Sequence, residues 1–131
     1  MKTDSEVKKI KDFGESPSIL IIDDEVEILS LFKTLFESRD FRVVVANTGD
    51  KAIKITGQEK FTFVLADLKM PGIDGIQLIK LIQKHQPEAK IMVMTGYGKQ
   101  VQQELEKIGI KDYIVKPIDF DNFFDKLKKM V

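Results

Sequence analysis

Asp23, Asp24, Asp67, Thr95 and Lys116 are the residues whose types would do chemistry if the fold gathered them. Three carboxylates in one place repel one another, so at least one would have a raised pKa unless a cation joined them. A hard divalent ion removes that conflict. Mg²⁺ suits the set because it takes oxygen ligands, accepts a few carboxylates, keeps some of its waters and binds phosphate oxygens. Beside such an ion an aspartate oxygen becomes usable as a nucleophile toward a phosphoryl group, since metal and a positive side chain neutralise the equatorial oxygens in transfer. Lys116 supplies the point charge and Thr95 a hydroxyl short enough to reach a phosphoryl oxygen, while Gly96 leaves room for entry. Singly, each residue has an ordinary reading. Asp23 or Asp24 caps a helix, Asp67 opens a turn ahead of Met70, Pro71, Gly72 and Gly75, Thr95 caps the next segment, and Lys116 is an exposed lysine before Pro117.

The chemical reading therefore depends on the elements that carry these residues. From Ser18 onward, short apolar runs alternate with helical patterns, the signature of successive βα units around a parallel sheet. The runs are Ile19 to Ile22, Val43 to Ala46, Phe61 to Ala66, Ile91 to Met94 and Tyr113 to Val115. They lack in-out alternation, so helices should cover both faces. The first run ends in Asp23-Asp24, the third in Asp67, the fourth in Thr95 and the fifth in Lys116. In an open parallel sheet, ligands bind beyond the carboxyl ends of the strands, where all five residues would meet.

Helical spacing predicts a first helix through Ile28, Leu29, Phe32, Leu35 and Phe36, a second over Asp50 to Thr56, and a third from Ile76 to His85 stopped by Pro87. A thin stripe of Val101, Leu105 and Ile108 marks a fourth between Lys99 and Lys107, which should be the most loosely held. Phe120, Phe123, Phe124, Leu127 and Val131 mark a fifth, capped by Asp119, with Lys126, Lys128 and Lys129 where the helix dipole favours cations. Residues 1–17 read as a polar tail; a short helix through Val7, Ile10 and Phe13 is the competing reading. His85 complements the dipole at its helix end, and Met92 and Met94 belong to the core.

Composition narrows the remaining classes. A chain of 131 residues, 43% hydrophobic, buries one core and is expected to form one domain over residues 18–131. Twenty-one basic and twenty-one acidic residues cancel, leaving no bulk field for direct nucleic-acid or membrane binding. With no cysteine there is neither a disulfide framework nor a thiolate metal site. No apolar run approaches the roughly 20 residues that span a bilayer, and the start lacks a signal-peptide core, so a cytoplasmic protein is expected.

The motifs Ile-Ile-Asp-Asp-Glu at 21–25, Asp-Leu-Lys-Met-Pro-Gly-Ile-Asp-Gly at 67–75, Met-Thr-Gly at 94–96 and Lys-Pro at 116–117 together resemble the response-regulator receiver family of two-component signalling. The resemblance runs from about Ser18 to Val131, is of the chemotaxis-regulator type, and implies a doubly wound, flavodoxin-like (βα)5 fold with a five-stranded sheet of order 2-1-3-4-5. It implies that Asp67 is the phosphoacceptor, Asp24 a direct Mg²⁺ ligand, Asp23 the acid holding metal-bound water, and Lys69 the donor of a backbone carbonyl to the metal. It likewise makes Thr95 and Lys116 the residues that bind the phosphoryl group and transmit its arrival. Tyr113 becomes the aromatic switch, and the Lys116-Pro117 bond is expected cis. Lys69 and Tyr97 match positions that tune how water reaches the acyl phosphate, and their bulk predicts a comparatively long-lived phosphoryl state. The implied phosphodonor is a sensor histidine kinase or a histidine phosphotransfer protein, and the implied output is a face of fourth helix, fifth strand and fifth helix that controls an unidentified protein target, with a phosphorylation-dependent homodimer as a further expectation. On this reading the chain is a signalling domain that assists its own phosphorylation and dephosphorylation rather than an enzyme. A stand-alone regulator, a relay shuttle and a receiver cut from a longer protein all fit.

Three rivals make different demands. A flavodoxin needs a hydroxyl- and amide-rich phosphate loop after the first strand, where Asp23-Asp24 would repel the phosphate of FMN. A Mg²⁺-dependent phosphohydrolase with an aspartate nucleophile places nucleophile and second acid two residues apart after one strand, whereas here the paired acids adjoin and the nucleophile candidate follows the third. A pseudo-receiver has no need of the intact cluster with Thr95 and Lys116.

Overall fold

The computed structural model describes residues 17–96 and 98–130. The tail reading for residues 1–16, Tyr97 and Val131 lie outside the described residues. Five strands, β1 (Ser18–Ile22), β2 (Arg42–Ala46), β3 (Phe63–Asp67), β4 (Lys90–Thr95) and β5 (Tyr113–Val115), alternate with five helices. These are α1 (Val26–Glu37), α2 (Gly49–Thr56), α3 (Gly75–His85), α4 (Gly98–Lys107) and α5 (Phe120–Lys129). All pairings in the sheet are parallel and the order is β2-β1-β3-β4-β5, the expected doubly wound topology.

The period-2 geometry of a strand sends alternate side chains to opposite faces, and here both faces are apolar. Ile19, Ile21, Phe63, Leu65, Met92, Met94 and Ile114 meet Leu29, Phe32 and Phe36 of α1 and Phe123, Phe124 and Leu127 of α5. The intervening residues, Leu20, Ile22, Val64, Ala66, Ile91 and Val93, meet α2 through Ala52, α3 through Leu78, Ile79 and Ile82, and α4 through Leu105. On the first face the phenylalanines form a contiguous cluster. Phe36 lies with its ring centroid 5.3 Å from Phe120, 5.8 Å from Phe123 and 6.2 Å from Phe124, tying α1 to α5.

Local chemistry sets the helix ends. Asp119 Oδ1 accepts from the N–H groups of Asp121 and Asn122, and Asp74 Oδ1 does the same for Ile76 and Gln77. In α4, Leu105 is fully buried while Gln102, Gln103, Glu104, Glu106 and Lys107 are exposed, the thin anchorage its sequence predicts.

The start of β3 departs furthest from the sequence reading, other strand ends moving by a single residue. Phe61 is buried but precedes β3, because its N–H donates to the Gln86 side chain at 3.1 Å instead of joining a ladder. Gln86, itself buried just past α3, also donates to the carbonyls of Thr56 and Glu59, so one amide closes the end of α2 and the approach to β3. His85 sits in the last turn of α3 as expected, with Nδ1 3.0 Å from Thr56 Oγ1.

Candidate functional site

Strand register brings the five candidate residues to one edge. Ile22 is opposite Ala66 in the β1–β3 pair, so Asp23 follows one strand where Asp67 ends its neighbour. Asp67 is opposite Met94, placing Thr95 one step beyond it, and Thr95 is opposite Val115, placing Lys116 one step further. The Lys116 N–H donates to the Thr95 carbonyl at 2.9 Å, which extends that pairing to the lysine itself. β5 lies two strands from β3, a backbone separation of about 10 Å, which a lysine stem spans and a shorter basic group would not.

The stem does reach. Lys116 Nζ donates to Asp67 Oδ2 at 3.0 Å and to Asp23 Oδ2 at 3.2 Å. The other oxygens are also occupied: Asp23 Oδ1 accepts from the Glu25 N–H at 2.9 Å and Asp67 Oδ1 from the Lys69 N–H at 3.0 Å. Asp23 is 0% exposed and Asp67 5%, whereas Asp24 is exposed at the mouth. Burial, with the nearby charge of Asp67 adding to it, raises the pKa of Asp23 above its ordinary 3.8 despite the Glu25 N–H and Lys116. Burial alone would depress Lys116, but its hydrogen bond to Asp67 and the charges of Asp23 and Asp67 outweigh that and raise it above 10.5.

A divalent cation fits this set. One carboxylate oxygen from each of Asp23, Asp24 and Asp67 lies within 4.8 Å of the others, a spacing and an all-oxygen donor set that suit a hard divalent ion. The acids open into a cleft of about 630 Å³ lined by Asp24, Glu25, Asp67, Lys69, Met70, Pro71, Gly96 and Lys116. Beside it lies an apolar groove of about 440 Å³ lined by Ile28, Leu31, Phe32, Pro117 and Ile118, with Glu25 and Lys116 common to both.

The loop after Asp67 is more ordered than its turn residues alone indicate. Lys69–Met70 pairs antiparallel with Ile73–Asp74 around Gly72, whose φ of +87° favours glycine. A Cβ on Gly75 would stand 2.1 Å from the Leu68 carbonyl oxygen, so only glycine lets α3 start this close to the residue after Asp67. Thr95 is buried (3% exposed), Tyr113 is half-buried against the α2–α4 face, and the Lys116-Pro117 bond is cis. Sequence reasoning passed over Glu25, whose Oε1 is a third acceptor for Lys116 Nζ at 3.5 Å; its place in the Asp-Asp-Glu run was visible, its contact across the fold was not.

A flavodoxin-like sheet whose carboxyl edge presents buried acids bridged by a lysine defines a phosphoryl-accepting signalling domain rather than a flavin binder, since an incoming phosphate would meet Asp23 and Asp67 instead of a cradle of neutral donors. The chain belongs to the response regulator receiver domain family, which it matches over residues 19–128, and phosphoryl acceptance on an aspartate is that family's general function. It is 34% identical over 109 residues to the transcriptional regulatory protein ZraR of Klebsiella oxytoca, an alignment covering 82% of this chain and 25% of that one. The chain thus spans about a quarter of the length of that relative. It is 33% identical over 112 residues to sporulation initiation phosphotransferase F of Bacillus subtilis, covering 85% of this chain and 90% of that protein. Among solved structures, the response regulator TrrA of Thermotoga maritima in complex with Mg²⁺-BeF superposes with a TM-score of 0.77 at 30% identity, covering 88% of this chain and 99% of that one.

Proposed function

We propose that Asp67 accepts the phosphoryl group, from a histidine of a sensor kinase or phosphotransfer protein, in a Mg²⁺ site formed by Asp23, Asp24, Asp67 and the Lys69 backbone carbonyl. The observation that carries this is the bridge from Lys116 Nζ to Asp23 and Asp67, which puts a cation on the oxygen that must attack. Asp67 Oδ1 is held by the Lys69 N–H, leaving Oδ2, now paired with Lys116, as the oxygen that becomes nucleophilic once Nζ has left it, with Nζ then free to bind the incoming group. When bound, the metal supplies Lewis-acid neutralisation of the phosphoryl oxygens. Thr95 donates its hydroxyl to the bound group, and the backbone link from Thr95 to Lys116 carries the change toward Tyr113, β5 and α4, where the buried anchorage is thinnest. A partner reads that face, by association with a target or with a second copy.

The apolar groove supports a protein donor. It shares Glu25 and Lys116 with the acidic cleft, so an apolar helix face seated against Leu31, Phe32 and Ile118 brings its own histidine to the mouth. The domain takes part in its own phosphoryl chemistry without turning over a separate substrate, and it works in the cytoplasm; among the described residues no helix is long and apolar enough to cross a membrane.

The test is single-turnover labelling. With acetyl phosphate and Mg²⁺ the protein gains one phosphoryl group by intact mass, and Asp67→Asn gains none; multiple turnover of small phosphate esters, or labelling of the Asp67→Asn variant, would favour a hydrolase or another acceptor.

A further inference from the structure

Glu25 has no part in the chemistry assigned above, yet it is one of three carboxylates that hold Lys116. Nζ lies 3.0 Å from Asp67 Oδ2, 3.2 Å from Asp23 Oδ2 and 3.5 Å from Glu25 Oε1. Asp67 and Asp23 belong to the acid cluster that can hold a metal, and Glu25 stands outside it. The Glu25 backbone is fixed from the same place, since its N–H donates to Asp23 Oδ1 and its extended φ and ψ of −83° and 103° begin α1. Its side chain is 59% exposed at the junction of the acidic cleft and the apolar groove.

We infer that Glu25 is a positioning residue that would retain the Lys116 ammonium at the rim of the site when a divalent cation joins the Asp23 and Asp67 carboxylates, and so governs the exchange of lysine and metal there. The inference rests on the Mg²⁺ site proposed above. An ammonium and a divalent cation gathered on the same two carboxylates repel each other at short range. With no other acceptor, Lys116 would stay and oppose the metal. Glu25 offers an acceptor within the present reach of Nζ, so the shift needs little movement of the stem. Its exposure fits this use. A solvated pair contributes little and exchanges readily, so Lys116 can return when a phosphoryl group on Asp67 provides a stronger acceptor.

The test is a double-mutant cycle on Mg²⁺ affinity, measured by calorimetry at about 0.15 M salt to screen long-range charge. Glu25→Gln should weaken Mg²⁺ binding about two- to fivefold, the scale of one exposed ion pair, and should leave it unchanged in a Lys116→Met background. The Lys116 Cε and Nζ resonances should shift as Mg²⁺ is added to the unsubstituted protein and settle elsewhere in Glu25→Gln. Equal weakening in both backgrounds would mean that Glu25 acts on the metal directly, and no weakening in either that it is an idle surface charge; each overturns the inference. Failure of the unsubstituted protein to bind Mg²⁺ at all would instead overturn the metal assignment.

Discussion

Removing the Lys116 ammonium should weaken the metal-free fold and tighten the metal at once. In Lys116→Met the stem survives, but Asp23 and Asp67, 0% and 5% exposed, lose the donor they share at 3.2 and 3.0 Å. Breaking a buried ion pair by deleting one partner costs about 3–5 kcal/mol, because the other charge is left uncompensated. Here the lysine side chain is 22% exposed and the acids face an open cleft, so solvent and proton uptake soften the loss to about 1–3 kcal/mol. A divalent cation restores the missing charge without having to displace Nζ. If about half of the loss is recovered on binding, about 0.5–1.5 kcal/mol, Mg²⁺ affinity rises about two- to tenfold. Urea denaturation with and without Mg²⁺ at about 100 times its dissociation constant, where metal adds about 2.7 kcal/mol to the unsubstituted protein, reads both effects. The variant should be clearly weaker without Mg²⁺ and keep only about half of that deficit with it, while accepting phosphoryl groups more slowly. An equal deficit in both conditions, or weaker Mg²⁺ binding, would refute the placement of lysine and metal on the same carboxylates.

Four further outcomes follow from the same geometry. Because burial and Asp67 hold the Asp23 pKa above 3.8, ionising it costs the metal-free fold stability as pH rises through the interval from 3.8 to the raised value; Mg²⁺, which needs the ionised form, should lose affinity as pH falls through that value, and a midpoint at the ordinary aspartate pH in calorimetric titrations would contradict this. Lys69 lines the cleft with an exposed side chain, so Lys69→Asn should speed loss of phosphate from the purified phosphoprotein; an unchanged rate removes its proposed shielding. Gly75→Ala forces a methyl against the Leu68 carbonyl and should cost about 1–3 kcal/mol in thermal or urea unfolding, with slower labelling of Asp67 because the loop beginning there must shift. Leu31 is 56% exposed in the apolar groove, so Leu31→Glu should slow phosphotransfer from a histidine-phosphorylated protein and leave labelling by acetyl phosphate unchanged; equal slowing with both donors would argue against docking there.

Much of this was legible in the sequence because it is local. Apolar runs bounded by acids, a threonine and a lysine mark strand ends, and helical stripes with Asp119 or Pro87 mark helices, since propensity, capping and periodicity act within a few residues. Both apolar faces of the sheet followed from runs without alternation. Where the local signal had a competitor, it misled: Phe61 is apolar and adjoins β3, but the Gln86 side chain, brought in from the end of α3, takes its N–H.

What the sequence determined, then, was the inventory of elements and the residues at their carboxyl ends, because both are written in spacing along the chain. Only the tertiary structure decided how those ends meet. Pairing Ile22 with Ala66, Asp67 with Met94 and Thr95 with Val115 depends on how two apolar faces are covered at once, and no local window contains that information. The same pairings put Lys116 in reach of three carboxylates, one of which, Glu25, had no signal of its own. The lysine's position is a property of five strands in register, and so is the chemistry it serves.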